Sequence, residues 1–444
     1  CTLPIAVQGI IARAAAKRTR ERAAHVHDDT DTDDLGGSIH VATEVGLPYT
    51  TEAISYPSHP IDSRFSLLLF DFNSSLGWEQ RPLLQSRVEL YATLQALARF
   101  HAFFWIGKKK TTSHTTTNDT TNDIANDTTN DKTEGWGTRL ARENVIWDTG
   151  SYWDLGKLRP NILDEIQPKW TRITTAFQTV FHDDHAYLCM KEEEMRSLGT
   201  RLQAMAPGVC WRTHGQRADG TKIGSVEETG GEVVDERCYT VLHGDPKAAN
   251  FFYNRSTMQH GGIGKNVRAG PADDDTDVRN IGVGMIDFQW TGVGLPSTDI
   301  AYCLAASASG LLLDRDMESL DDAPVDGVGE LRCLRYYHTC LLQALVEYGV
   351  VDTVDEGECM LPYEKFRRQF QEAMVDLFRT VVTDWWSALT PTLLEEREGA
   401  MAYNACNKSM HTALWLIKYT AACLRRLEAV DVDTVDSIYT GVPL

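Results

Sequence analysis

Four polar residues crowd into one short stretch of this chain, LHGDPKAANF at residues 242–251. His243, Asp245, Lys247 and Asn250 follow an apolar run, and apolar residues resume directly after them. A carboxylate in this setting can orient a hydroxyl group or accept its proton. An ammonium two residues later can neutralise charge on a phosphoryl group during its transfer. The residue types therefore point to chemistry between a hydroxyl and a phosphate.

Another carboxylate, Asp287, follows a later apolar run in GVGMIDFQ, residues 282–289. Residues 251–253 and 283–286 both have the composition of short strands, with a polar loop between them. Two such strands are expected to pair antiparallel, which brings the start of the first beside the end of the second. Asn250 and Asp287 then lie close together. A carboxamide and carboxylates that converge suit Mg²⁺, which prefers oxygen ligands and shares them with substrate phosphates.

The order and spacing of these residues resemble a known family. H-G-D-x-x-x-x-N followed by I-D-F is similar to the signature of the aminoglycoside phosphotransferase and choline kinase family, relatives of protein kinases. IDFQ and P-x-x-D-I-A-Y, the latter at residues 296–302, resemble its ecdysteroid-kinase-like (CHK kinase-like) branch. The resemblance covers roughly residues 40–105 and 140–390. It implies an α+β, two-lobed protein-kinase-like fold, with ATP and Mg²⁺ as cofactors.

The resemblance also implies roles for individual residues. Asp245 corresponds to the family's catalytic aspartate, and Asn250 and Asp287 to its metal-binding residues. Lys247 matches the catalytic-loop lysine of Ser/Thr protein kinases, so we expect it to act beside Asp245, although a surface lysine is the alternative. His243 is expected to tie the backbone of the loop rather than to move protons.

Two further segments are similar to parts of the same family. Asp299, within PSTDIAY, matches a buried aspartate that braces the catalytic loop, so we expect a supporting role. LLLFDF at residues 67–72 resembles the hinge whose backbone groups receive adenine. The predicted adenine-binding residues are Leu69, Phe70, Asp71 and Phe72.

The small lobe that the resemblance implies is incomplete in this sequence. A kinase-like enzyme carries a glycine-rich turn over the phosphates and a strand lysine held by a glutamate. No G-x-G-x-x-G precedes the hinge, and the only lysine before residue 108 is Lys17, in a helical context. One explanation is a chain that begins partway through the small lobe, with Glu21 as the partner glutamate. The other is degeneration into a non-catalytic binding protein.

The retained catalytic loop favours the first explanation. Asp245, Asn250 and Asp287 are all present, and degenerate kinases usually lose one of the three. We therefore expect residues 1–72 to form a truncated small N-terminal lobe. Residues 73–444 are expected to form the large lobe, with a catalytic hairpin over residues 239–289.

The pattern around the hairpin is mainly helical. The apolar period of residues 88–105 predicts a helix with one buried face. Residues 107–135 repeat T-N-D units without apolar side chains and predict a disordered insertion. The aromatic-rich segments from 147 to 181 have a mainly helical composition, and residues 207–237 predict a loop-rich insertion. From about 298 to 430 the periodicity is helical throughout.

Composition excludes several classes of protein. A formal net charge of −20 argues against a broad surface for nucleic acid or an anionic membrane. The ten cysteines include no C-x-x-C pair, which indicates free thiols in a reducing compartment rather than disulfides or a zinc site. No apolar stretch is long enough to span a bilayer and no secretory signal is evident. The sequence therefore predicts a cytoplasmic protein.

The motifs and the family that they resemble predict an ATP- and Mg²⁺-dependent kinase that phosphorylates a hydroxyl group of a small molecule. The alternative is a non-catalytic nucleotide- or metabolite-binding pseudokinase, because the small-lobe lysine and glycine-rich loop are missing. A protein kinase is the third possibility. It is disfavoured because no A-P-E-like segment is present and helices begin directly after Asp299, which leaves little room for an activation loop.

Overall fold

The computed structural model describes residues 72, 74–106, 140, 146–159, 161–214, 238–254, 278, 281–317 and 329–440. The predicted small lobe lies outside these residues except for Phe72, and so do Leu69, Phe70 and Asp71. The predicted insertion at 107–135 also lies outside the described residues. The two-lobed arrangement therefore stays a prediction.

The described residues form a mixed α+β fold that is mostly helical, as expected. The helices are α1 (Arg87–Phe103), α2 (Ile166–Ala176), α3 (Gln178–Asp183), α4 (His185–Leu188), α5 (Glu192–His214), α6 (Pro296–Ser307), α7 (Gly310–Asp316), α8 (Arg332–Glu347), α9 (Val354–Met360), α10 (Tyr363–Thr380), α11 (Pro391–Glu396) and α12 (Met410–Thr440). The strands are β1 (Trp78–Glu79), β2 (Thr240–Leu242), β3 (Phe251–Asn254), β4 (Gly282–Met285) and β5 (Gly292–Gly294).

The first helix begins and packs as its sequence predicts. The hydroxyl of Ser86 accepts a hydrogen bond from the backbone N–H of Glu89 at 3.2 Å, which satisfies one of the unpaired donors of the first turn. The predicted apolar face is buried and packs mainly along α8. Its residues are Leu90, Leu94, Leu97, His101 and Phe104.

The predicted antiparallel hairpin is confirmed. β3 pairs with β4 so that Phe251 lies opposite Met285 and Asn254 opposite Gly282, and β1 adds a third strand on the other side of β3. A second, two-stranded sheet joins β2 to β5. β5 was not predicted, because its three residues, Gly-Val-Gly, carry no strand signal.

The main apolar core of the described residues lies between the helices, and two smaller apolar clusters accompany it. α10 is its central element and packs against α5, α6 and α12. The predicted helical period after residue 298 is confirmed over the described residues, where Leu334, Tyr337, Leu341 and Leu345 of α8 are buried. The nine described cysteines are free thiols; six are buried, Cys340 is half-buried, and Cys189 and Cys359 are exposed.

Two boundary predictions were wrong. The loop expected from residue 207 does not begin there, since α5 continues through Pro207 to His214. Leu202, Ala206 and Val209 keep the helical spacing across the proline and are all buried, so packing maintains the helix.

The prediction of mainly helical structure from residue 147 onwards is wrong for residues 147–155. This stretch is irregular because its backbone bonds to the β5 region instead. The N–H of Gly150 donates to the carbonyl of Val293 at 2.7 Å, and Trp147 forms a parallel bridge with Gly292. The helical prediction holds for residues 168–181, which lie in α2 and α3.

Candidate active site

The loop after β2 turns sharply at a glycine. Gly244 has φ of +82°, a left-handed conformation that glycine adopts without steric penalty. A Cβ at this position would lie 2.1 Å from the carbonyl oxygen of Trp290. The H-G-D sequence thus needs glycine both for its backbone angle and for the close approach of the next loop.

Asp299 binds the backbone of this turn. One carboxylate oxygen accepts the backbone N–H of His243 at 2.6 Å, and the other accepts that of Gly244 at 3.0 Å. The aspartate lies in the first turn of α6 and is fully buried. This is the bracing arrangement that the sequence predicted for Asp299.

His243 links the loop to the end of β4. Its Nε2 lies 2.9 Å from the carbonyl oxygen of Ile286, and its Nδ1 accepts the backbone N–H of Asp245 at 3.3 Å. Burial lowers the pKa of His243, which is consistent with a neutral ring that donates from Nε2. Both hydrogen bonds of the ring are to backbone, as expected for a residue that supports the loop.

Asp245 is buried, and both of its carboxylate oxygens have partners. Oδ1 accepts the hydroxyl of Tyr302 at 2.7 Å, and Oδ2 accepts from Lys247 Nζ, also at 2.7 Å. The Nδ2 of Asn250 donates to the backbone carbonyl of Asp245 at 2.7 Å and lies 3.3 Å from Oδ2. The structure therefore brings Asp245, Lys247 and Asn250 together, as their spacing predicts.

Asp287 stands beside Asn250 at the end of the hairpin. The N–H of Ile286 donates to the carbonyl of Asn250 at 3.0 Å, so Asp287 is one residue past that pair. Asp287 has φ of +63°, an uncommon angle for a residue other than glycine. Unusual backbone angles of this kind cluster at functional sites.

The donor set fits a metal that is shared with phosphates. Asn250 and Asp287 offer oxygen atoms, which Mg²⁺ prefers, and Asp245 lies next to them. Among the described residues, no group of three or more His, Cys, Asp or Glu side chains could hold a metal by itself. A cation at this point needs phosphate oxygens to complete its coordination.

Three site residues were not predicted from the sequence. His101 Nε2 lies 3.1 Å from Asp299, and its Nδ1 lies 2.7 Å from the hydroxyl of Tyr337, so α1 and α8 both support the loop. Tyr302 binds Asp245 directly. The available signals were a histidine on an apolar helical face and a tyrosine three residues after Asp299.

Half-buried aromatic side chains surround Tyr302. The ring of Tyr152 lies 5.9 Å from both Tyr302 and Trp290, and Trp147 stacks on Trp290 at 5.9 Å. Trp385 ends a π-helical turn, Val381–Trp385, an irregularity that is frequent at functional sites. Together with Tyr302, these rings come from four separate segments of the chain, and they meet next to the loop that carries Asp245.

Phe72, the described residue of the predicted hinge, packs on the hairpin. Its ring stacks on Phe252 with centroids 4.6 Å apart. The same ring packs against Gly284, where an added Cβ would collide with it. The end of the predicted adenine-binding segment therefore contacts the strands that carry Asn250 and Asp287.

Comparisons with protein-family models, with curated proteins and with solved structures gave no significant match. Within the described part of the chain, none of the helices combines the length and the apolar character needed to cross a bilayer.

Proposed function

We propose that this protein is a kinase that transfers the γ-phosphoryl group of ATP to a hydroxyl group of a small molecule. One observation carries the proposal: Asp245, Asn250 and Asp287 converge at the open end of one antiparallel hairpin, beside a loop whose backbone is held by Asp299. A structural turn does not need a buried carboxylate, a carboxamide and a strained aspartate at one point.

The reaction is an in-line displacement at the γ-phosphorus. The acceptor oxygen forms a bond to phosphorus while the bond to the β–γ bridging oxygen breaks, and ADP leaves with that electron pair. Asp245 orients the acceptor hydroxyl and takes its proton. Lys247, 2.7 Å from Asp245, can place its ammonium near the transferred group and balance its negative charge.

Asn250 and Asp287 would hold Mg²⁺ together with the ATP phosphates. The bound ion supplies charge neutralisation for the phosphate oxygens. The side chain of Asn250 is fixed by its hydrogen bond to the Asp245 carbonyl, so the carboxamide is oriented before nucleotide binds. Such prior orientation lowers the free energy needed to reach the transition state.

The acceptor would lie against the aromatic side chains near Tyr302. Trp147, Tyr152, Trp290 and Trp385 are half-buried, and the rings of Tyr152 and Trp385 contact Tyr302, which binds Asp245. Aromatic rings bury large apolar area with little loss of side-chain entropy. This surface supports an acceptor that has an apolar body as well as a hydroxyl group.

Calorimetric titration of the chain with ATP, with and without Mg²⁺, tests the proposal. We expect Mg²⁺-dependent binding that is lost in Asp287→Asn and kept in Asp183→Asn, a matched change at an exposed aspartate of α3. Phosphate transfer to a panel of alcohols should follow.

Binding without transfer to any alcohol would support the pseudokinase alternative. A well-folded chain that binds no nucleotide, with or without Mg²⁺, would contradict the kinase and the nucleotide-binding form of the pseudokinase.

A further inference from the structure

The two carboxylate oxygens of Asp245 face different surroundings. Oδ1 accepts the hydroxyl of Tyr302, and both side chains are buried. Oδ2 accepts from Lys247, whose side chain is 32% exposed, and lies 3.3 Å from Asn250 Nδ2. Oδ2 is therefore the oxygen that faces the proposed metal-binding residues.

We infer that Tyr302 is a positioning residue, which fixes the rotamer of Asp245 so that Oδ2 is presented to the acceptor hydroxyl. The inference rests on the proposed kinase function and adds to it a residue that acts through Asp245. A carboxylate held at one oxygen cannot rotate away from the reacting atoms, and misplacement by about 1 Å can lower a rate on the order of 100-fold.

The ring of Tyr302 is itself fixed on two sides. Trp153 stacks on it with centroids 5.0 Å apart and an interplanar angle of 9°, and Trp385 meets it edge-on at 5.5 Å. Burial, together with nearby Tyr152 and Asp245, raises the pKa of Tyr302, so its hydroxyl keeps the proton that it donates.

Tyr302 and Asp299 lie three residues apart on α6, and residues at this spacing share one face of a helix. Asp299 holds the backbone of the loop at His243 and Gly244, while Tyr302 holds the side chain of Asp245. One helical face thus positions both the loop and the carboxylate.

Tyr302→Phe tests this role by removing one hydroxyl. We expect kcat to fall about 10- to 100-fold while the KM for Mg-ATP stays unchanged, because Asn250 and Asp287 are untouched.

Tyr91→Phe is the matched control. The Tyr91 hydroxyl also donates to a buried aspartate, Asp316, at 2.9 Å, but this pair lies between α1 and α7, outside the site. It should leave kcat unchanged. Unfolding midpoints of both variants report whether each is folded.

A double-mutant cycle separates positioning from general stability. In the Asp245→Asn background, Tyr302→Phe should cause no further loss of rate, because the group that it positions is already gone. An equal loss in both backgrounds, or a Tyr302→Phe enzyme with the kcat of the unchanged chain, would overturn the inference. Failure of the proposed function would look different, since the unchanged chain would then transfer no phosphate.

Discussion

The polar side chains of the candidate site are held by the protein before any ligand is present. Asp245 accepts hydrogen bonds from Tyr302 and Lys247, and Asn250 donates to the backbone of the same loop. Groups fixed in this way need little rearrangement when charge develops during a reaction, which is the main source of electrostatic catalysis. Burial also lowers the pKa of the neighbouring His243, and this affects how the free energy of unfolding depends on pH.

Stability should fall in mild acid because buried histidines are held neutral. Burial lowers the pKa of both His243 and His338 below the ordinary value of 6.5, so the unfolded chain takes up protons that the folded chain does not. The free energy of unfolding should therefore drop as the pH falls from about 7.5 to about 5.5, by up to about 1.4 kcal/mol per pH unit for each group. Urea denaturation across this range measures the slope.

The histidine contribution can be isolated with one pair of variants. His338→Gln retains a donor for the carbonyl of Leu361, which His338 Nε2 contacts at 2.8 Å, but it cannot titrate. It should flatten the pH dependence, whereas His182→Gln, at an exposed position of α3, should not. A slope that is identical in His338→Gln and the unchanged chain would show that folding does not lower the pKa of this ring.

At the scale of elements, the loop at residues 243–247 should be the least tolerant of substitution. It joins β2 to the 3₁₀ turn Ala248–Asn250. Gly244→Ala combines a left-handed backbone with a collision against the Trp290 carbonyl, and should lower the free energy of unfolding by about 2–5 kcal/mol. Because the loop must move, kcat should fall on the order of 100-fold. Urea denaturation and turnover measure the two effects.

Gly349→Ala provides the comparison, because Gly349 has φ of +68° but no atom within 4 Å of an added Cβ. This variant should show only the backbone penalty, about 1–2 kcal/mol, with normal turnover. Equal destabilisation by the two substitutions would mean that the loop after β2 yields to the collision without cost.

The elements that carry the chemistry were predictable because their signals are local. The β3–β4 hairpin and the buried face of α1 follow from short-range periodicity. The contacts of His101, Tyr302 and Tyr337 were not predicted, because they depend on how α1, α6 and α8 meet in space. β5 and the path of α5 through Pro207 were missed for the same reason, since tertiary packing overrides weak local preference there.

At the scale of the whole molecule, the site joins distant parts of the chain. His101 of α1 and Tyr337 of α8 contact each other and, through Asp299, support the loop that carries Asp245. A ligand at this site should therefore stabilise the helical core as well as the hairpin. The fluorescence of buried tryptophans and the circular dichroism of the helices should report the same unfolding transition.

Mg-ATP should raise the stability of that single transition. At a free concentration of about 100 times Kd, a ligand that binds only the folded state adds about 2.7 kcal/mol to the free energy of unfolding. ATP with a chelator should add less, and Asp287→Asn should abolish the Mg²⁺-dependent part. A shift with Mg-ATP in only one of the two signals would show that parts of the described structure unfold separately, and that the link through His101 and Asp299 is energetically weak.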